Sequence, residues 1–177
     1  MDKKHYKLFA LSLVILILLS LVLAGCQKKI DVILYFAEYE DNTSFLVPET
    51  RSILLTDELY KDIVTELVNG PKSVEHYPTL PSDTGVLGVT ISEDIATVDL
   101  GERVLTNLSE IPHGSETELL AIYSIVNTLT EFEEIEKVKL IIEGKDEGEI
   151  DGIFIQDFWG HVGIYETFSR DESLIGK

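Results

Sequence analysis

The sequence holds 177 residues, with 14 Lys and Arg against 32 Asp and Glu, for a formal net charge of −18. A chain of that length fits one ordinary domain, and so acidic a surface repels phosphate, which excludes nucleic acid as a partner. Its one cysteine excludes an intramolecular disulfide, so the fold must rest on buried apolar surface.

Lys3, Lys4 and Lys7 precede an apolar run, Leu8 to Leu23, broken only by Ser12 and Ser20. That run falls short of the ~20 apolar residues a spanning helix needs. It ends in Leu23-Ala24-Gly25-Cys26, which resembles the lipobox of bacterial lipoproteins. Basic start, apolar run, small-residue pair and cysteine come in the order of an export leader. The expectation is removal of 1–25, acylation of the Cys26 thiol, and lipid anchoring on the extracytoplasmic face of the cell membrane. Lys3, Lys4, Lys7 and Asp2 leave with the leader, so the mature chain carries 11 basic and 31 acidic residues, a net of −20. Residues 26–31 read as lipidated cysteine and short tether, with Lys28 and Lys29 suited to an anionic lipid surface. Residues 32–177 read as the domain.

Val32 to Ala37 is a short apolar run of strand length, rich in β-branched and aromatic residues. Phe45-Leu46-Val47 and Ile53-Leu54-Leu55 flank Pro48, so that piece is expected to be an edge strand or extended loop at best. Thr56 is placed as an N-cap, with Asp57 and Glu58 at the positive helix end. Leu59, Ile63 and Leu67, widened by Tyr60, Val64 and Val68, form a helical stripe that Gly70-Pro71 stops. Pro78 and Pro81 stiffen the loop from 72 to 84. Leu87-Val89-Ile91 and Ala96-Val98-Leu100 alternate at period two around Glu93-Asp94, which predicts a hairpin without the favoured Asn-Gly turn.

Ser115 and Glu118 have capping-box spacing before a second helix, whose stripe is Leu119, Ile122, Tyr123, Val126 and Leu129. Val138, Leu140 and Ile142 alternate as a further strand, and 150–165 holds another strand or hairpin. The order β-α-β-β-α-β predicts an α+β domain, a split βαβ plan with two helices on one face of a mixed sheet.

These segments together resemble the GerMN domain family, the module of GerM-like sporulation and spore-germination lipoproteins. The resemblance runs through Tyr35-Phe36, Phe45 to Glu49, Leu67 to Pro71, Tyr77 to Pro81, Ala96 to Leu100, Tyr123 to Phe132, Ile142 to Gly144, and Gly160-His161. The ten residues on the second helix are the most specific match. The resemblance implies a fold similar to ring-building motifs, no enzymatic activity and no cofactor. Two features depart from it: only one module fits where GerM carries two in tandem, and Glu93-Asp94 stands at the usual Asn-Gly turn.

Of the three histidines beyond the leader, His76, His113 and His161, none has zinc-ligand spacing. His161 is read as a hydrogen-bonded structural residue. No G-x-S-x-G elbow presents a nucleophile. Glu147, Glu149, Asp151 and Gly152 imitate positions 1, 3, 5 and 6 of a calcium loop, but Phe158 stands where the bidentate carboxylate belongs. Tyr60 and Tyr123 read as core or interface. Asn127-Thr128 are poor helix-interior residues, and are read as satisfying backbone where helix meets strand, with an assembly contact as the sharper alternative. The leading expectation is a non-enzymatic scaffold or assembly factor binding envelope proteins or its own copies. The alternative is a ligand- or cation-sensing module using the loop 72–84 and the acidic segment 145–151.

Overall fold

The computed structural model describes residues 28–41 and 43–176. The expected Cys26 lipidation and leader lie outside the described residues. Strands β1 (Lys29–Glu40) and β2 (Thr43–Leu54) pair antiparallel along their full lengths, from Lys29 opposite Leu54 to Glu40 opposite Thr43. The strand therefore takes in residues 29–31, read above as tether. Pro48 sits opposite Tyr35, whose N–H turns away from β2 to reach the Thr128 Oγ1 at 3.1 Å. The pair is thus a non-hydrogen-bonded one, and the N–H that proline lacks is not needed by the ladder. That is how a full edge strand runs through a proline.

The continuous apolar run in β1 reflects burial on both faces. Val32, Leu34 and Phe36 enter the main core, while Tyr35 and Ala37 join Leu46 and Leu120 in a second, smaller one. Helix α1 (Leu59–Val68) starts at Leu59, later than the Thr56 cap implied. Thr56 Oγ1 instead accepts the Glu58 N–H at 3.1 Å and closes the turn before the helix. Gly70, at φ +82, ends it as expected.

Strands β3 (Val86–Ser92) and β4 (Ile95–Leu100) form the expected hairpin, with Glu93 at φ +58 in its turn. Short α2 (Arg103–Thr106) follows, then α3 (Ser115–Leu129), which returns the chain to β5 (Lys137–Ile142), parallel to β4. Two short strands, β6 (Glu149–Ile150) and β7 (Ile153–Phe154), make the expected tail hairpin, and β8 (Phe168–Ser169) adds antiparallel to β5. The mixed sheet has the order β3-β4-β5-β8, and β1-β2 is a separate ribbon. The domain is α+β with the six expected core elements in order. Strand β1 does not enter the mixed sheet, because its outer edge is already engaged by Thr128 and by paired bonds between Ala37 and Tyr77 at 3.1 and 2.8 Å.

The capping expectation for α3 shifts by one residue. Gly114 is the N-cap and its N–H donates to the Thr117 Oγ1 at 3.0 Å. Glu118 turns inward instead and is fully buried. Residues 120–122 and 124–129 are all buried, so α3 is a central helix packed on nearly every side. No helix among the described residues is long and apolar enough to cross a membrane.

Candidate functional site

Three segments converge beside the N-terminus of α3: the end of α2, the 107–114 loop, and the loop after β7. Glu118 holds the last of them. Its carboxylate accepts the N–H of His161 and the N–H of Gly163, each at 2.8 Å. Gly163 has φ +76, and a Cβ there would sit 2.8 Å from the Gln156 carbonyl oxygen, so this turn requires glycine. Upstream in the same loop, the Trp159 Nε1 donates to the Val104 carbonyl at 2.9 Å. Its ring stacks on His113 at 4.3 Å and on Phe158 at 5.1 Å.

This stack floors a hollow of about 380 Å³, lined by Leu105, Leu108, His113, Phe154, Phe158 and Trp159 among others. Leu108 and Phe154 on its rim are 64% and 51% exposed. Burial pushes the His113 imidazole below its ordinary value, against the pull of Glu118 and with a further push from His161. The floor of the hollow is therefore apolar, with Asp157 the one carboxylate among its lining residues.

Each residue singled out in the sequence now has a place. His161 lends Glu118 its backbone N–H, while its side chain is exposed. His76 lies between two carboxylates, with Nδ1 3.5 Å from Glu49 and Nε2 3.9 Å from Glu38. Among the described residues no three His, Cys, Asp or Glu side chains gather as a metal-holding group. The calcium-like segment folds as the β6-β7 hairpin, with Asp151 at φ +50 and Gly152 at φ +83 forming its two-residue turn. Those dihedrals make a hairpin turn of the type Asp-Gly favours, which is the physical reason the pattern arises without a calcium loop. Tyr60 and Tyr123 are half-buried and pack edge-on against Phe132 and Phe168.

Asn127 and Thr128 are both fully buried, and both serve backbone groups. Thr128 accepts from β1 as described. Asn127 exchanges two 3.0 Å hydrogen bonds with the main chain of Asp171. Their burial leaves the assembly-contact alternative without a surface. Beside them Arg170 donates to the Asn127 carbonyl at 2.9 Å and to the Tyr35 hydroxyl at 2.7 Å, and pairs with Glu131 at 2.8 Å. Gly176 N–H then reaches the Leu46 carbonyl at 2.8 Å. The C-terminal segment is thereby strapped across α3 from β5 to β2.

Two buried charges escaped the sequence reading. Arg51, 3% exposed, donates to the carboxylates of Glu49 and Glu66 and to the carbonyls of Glu66 and Gly70, and lies 5.1 Å over the Phe36 ring. Burial alone would raise the Glu49 carboxyl, but hydrogen bonds from Arg51 and from the amides of Ser73 and Lys72 hold it below the usual range. Glu118 is the other. Both were detectable by period: Arg51 alternates with buried Ile53, and Glu118 sits three and four residues before buried Ala121 and Ile122.

Residues 33–148 match the family Germane, described as sporulation and spore germination. The chain belongs to that family. The Germane match ends before the Trp159 loop and the C-terminal strap. Among solved structures, the tandem GerMN domains of the sporulation protein GerM from Bacillus subtilis are similar at TM-score 0.60 and 20% identity, over 84% of this chain and 49% of that one. The chain thus spans about half the length of that tandem structure. The first GerMN domain of the same protein gives TM-score 0.54 and 26% identity, over 73% of this chain and 96% of that one. A candidate lipoprotein from Clostridium perfringens gives TM-score 0.50 and 22% identity, over 82% and 91%. No protein in the curated comparison matches.

Proposed function

We propose that this Germane-family chain is a lipid-anchored envelope protein, held through Cys26 on the outer face of the cell membrane. Its domain acts as a non-catalytic scaffold or assembly factor in sporulation or germination. The observation that supports it best is the hollow beside Trp159, where exposed Leu108 and Phe154 rim an apolar floor whose Trp159 is held by the Val104 carbonyl. Covering the exposed half to two-thirds of those two side chains with a partner stabilises a complex by ~1–2 kcal/mol each. The floor is ordered before the partner arrives, which lowers the entropic cost of docking. Confinement to a layer against the membrane raises the effective concentration of an anchored partner, so a modest interface suffices.

Two experiments test this reading. Radiolabelled palmitate should enter the protein, and globomycin should leave the unprocessed form. A photo-crosslinking residue at Leu108 or Phe154 should capture an envelope protein or a second copy, and one at Glu75 should not. Equal capture at all three positions, or none, would refute the contact surface.

A further inference from the structure

Beyond the anchor itself, we propose that the lower end of the β1-β2 ribbon is a lipid-contacting foot that seats the domain on an anionic bilayer. Strand β1 begins at Lys29, so only Gln27 and Lys28 separate it from Cys26. At ~3.3–3.6 Å per extended residue, that linker reaches about 10 Å. An acylated Cys26 therefore holds this end of the ribbon at the headgroups whatever the rest of the domain does.

The end so held has the composition of an interfacial surface. Leu54 faces Lys29 in the ribbon's register, and the Leu55 N–H donates to the Lys28 carbonyl at 2.8 Å. Leu54 and Leu55 are exposed, at 38% and 44%. Two adjacent exposed leucines thus sit beside two exposed lysines on the strand tips nearest the anchor. Lys72 lines the same hollow as Lys29 and Leu54. Two of the carboxylates there are ion-paired, Glu66 with Arg51 at 3.0 Å and Glu58 with Lys61 at 3.4 Å, and Asp62 accepts the Thr56 hydroxyl, while Asp31 and Asp57 are exposed. Lys28 and Lys29 lie closest to the anchor, ahead of Asp31 and Asp57, so the first charges and the leucines to meet the headgroups are those that suit an anionic interface.

The foot fixes orientation. Strand β1 runs twelve residues from Lys29 to Glu40, which at ~3.3 Å per residue puts its far end about 36 Å away. A seated ribbon stands up from the bilayer and holds its far end clear of lipid.

This inference rests on the anchor reading, and one labelling design separates the two. Cys26 is the chain's one cysteine, and acylation consumes its thiol. The lipidated full chain should take up no maleimide dye, whereas Leu55→Cys or Glu40→Cys should take up one. The labelled proteins are placed in phosphatidylcholine vesicles containing phosphatidylglycerol and doxyl-labelled lipid. The Leu55 dye should be quenched and blue-shifted, and the Glu40 dye should not. Replacing Lys28 and Lys29 by Gln should lower the seated-to-unseated ratio about 30-fold, and removing phosphatidylglycerol should act in the same direction. Leu54→Ser in the Leu55→Cys background should weaken quenching without touching the leader. Dye uptake by the parent chain would overturn the anchor reading. A parent without uptake, combined with an unquenched Leu55 dye or equal quenching at both positions, would overturn the foot alone.

Discussion

Replacing Glu118 by Ala should loosen the Trp159 loop and lower global stability together. The carboxylate is fully buried and holds two backbone amides at 2.8 Å. Hydrogen bonds to a charged group contribute ~1.5–3 kcal/mol each, and the buried Gly163 N–H would be left without a partner. Against that stands the recovered cost of keeping a carboxylate out of water, leaving a net loss of about 3 kcal/mol. For a domain of this size that corresponds to a fall of roughly 6–12 °C in Tm. Glu118→Gln keeps one acceptor oxygen and turns an amide N–H toward the second donor, so about half the loss is expected. Trp159 is the chain's one tryptophan, and its emission should shift to the red in Glu118→Ala before global unfolding begins. A Glu118→Ala protein melting within about 1 °C of the parent, with unchanged Trp159 emission, would refute the assignment of loop control to this residue.

Thr128→Val keeps the shape of the side chain and orphans the Tyr35 N–H. It should destabilise by ~1–3 kcal/mol and speed hydrogen exchange at Tyr35 above that at Leu34, measured by NMR. His113 has a folded-state value depressed chiefly by burial. Stability is therefore intact above the unfolded value of ~6.5 and falls as pH drops through it toward the folded value. Denaturant melts from pH 7.5 to 5 should show that fall in the parent and a smaller one in His113→Phe. Tyr60 is pushed up to about 12 by burial and by its hydrogen bond to Glu134. Its contribution is complete below the unfolded value of ~10 and is lost as pH rises through the folded one. Ultraviolet titration should lose one late-ionising phenol in Tyr60→Phe.

Regular alternation carried much of this fold into the sequence. Ala96, Val98 and Leu100, then Val138, Leu140 and Ile142, are buried in the alternation their spacing implies. The Gly70 stop and the match across Tyr123 to Phe132 were equally plain. Contacts between distant segments were hidden. Pro48 lowered the standing of β2 because nothing local shows that its partner Tyr35 sends its N–H to a helix 93 residues away. Ser115 and Glu118 have ideal capping spacing, yet Glu118 is drawn off by amides 43 and 45 residues downstream. The hollow was illegible for the same reason, since Leu108, His113, Phe154 and Trp159 come from separate loops with no shared spacing.

The polar residues that interrupt apolar stripes share one task. Arg51 fixes the backbone at Gly70, Glu118 fixes 161–163, Asn127 fixes Asp171, and Thr128 fixes Tyr35. Each reaches from a helix or strand to main-chain groups that regular pairing leaves open. Buried backbone groups must be satisfied somewhere, and this domain has no disulfide to hold its long connections. Side chains anchored in rigid elements therefore do what disulfide cross-links do in other small domains. Glu118 fixes the loop that follows Trp159, and Asn127 fixes the course of the strap. As the proposed contact surface, such a hollow loses little conformational freedom on docking. That makes substitutions at Glu118 informative twice over, since they should weaken capture at Leu108 and Phe154 without altering either residue of the rim.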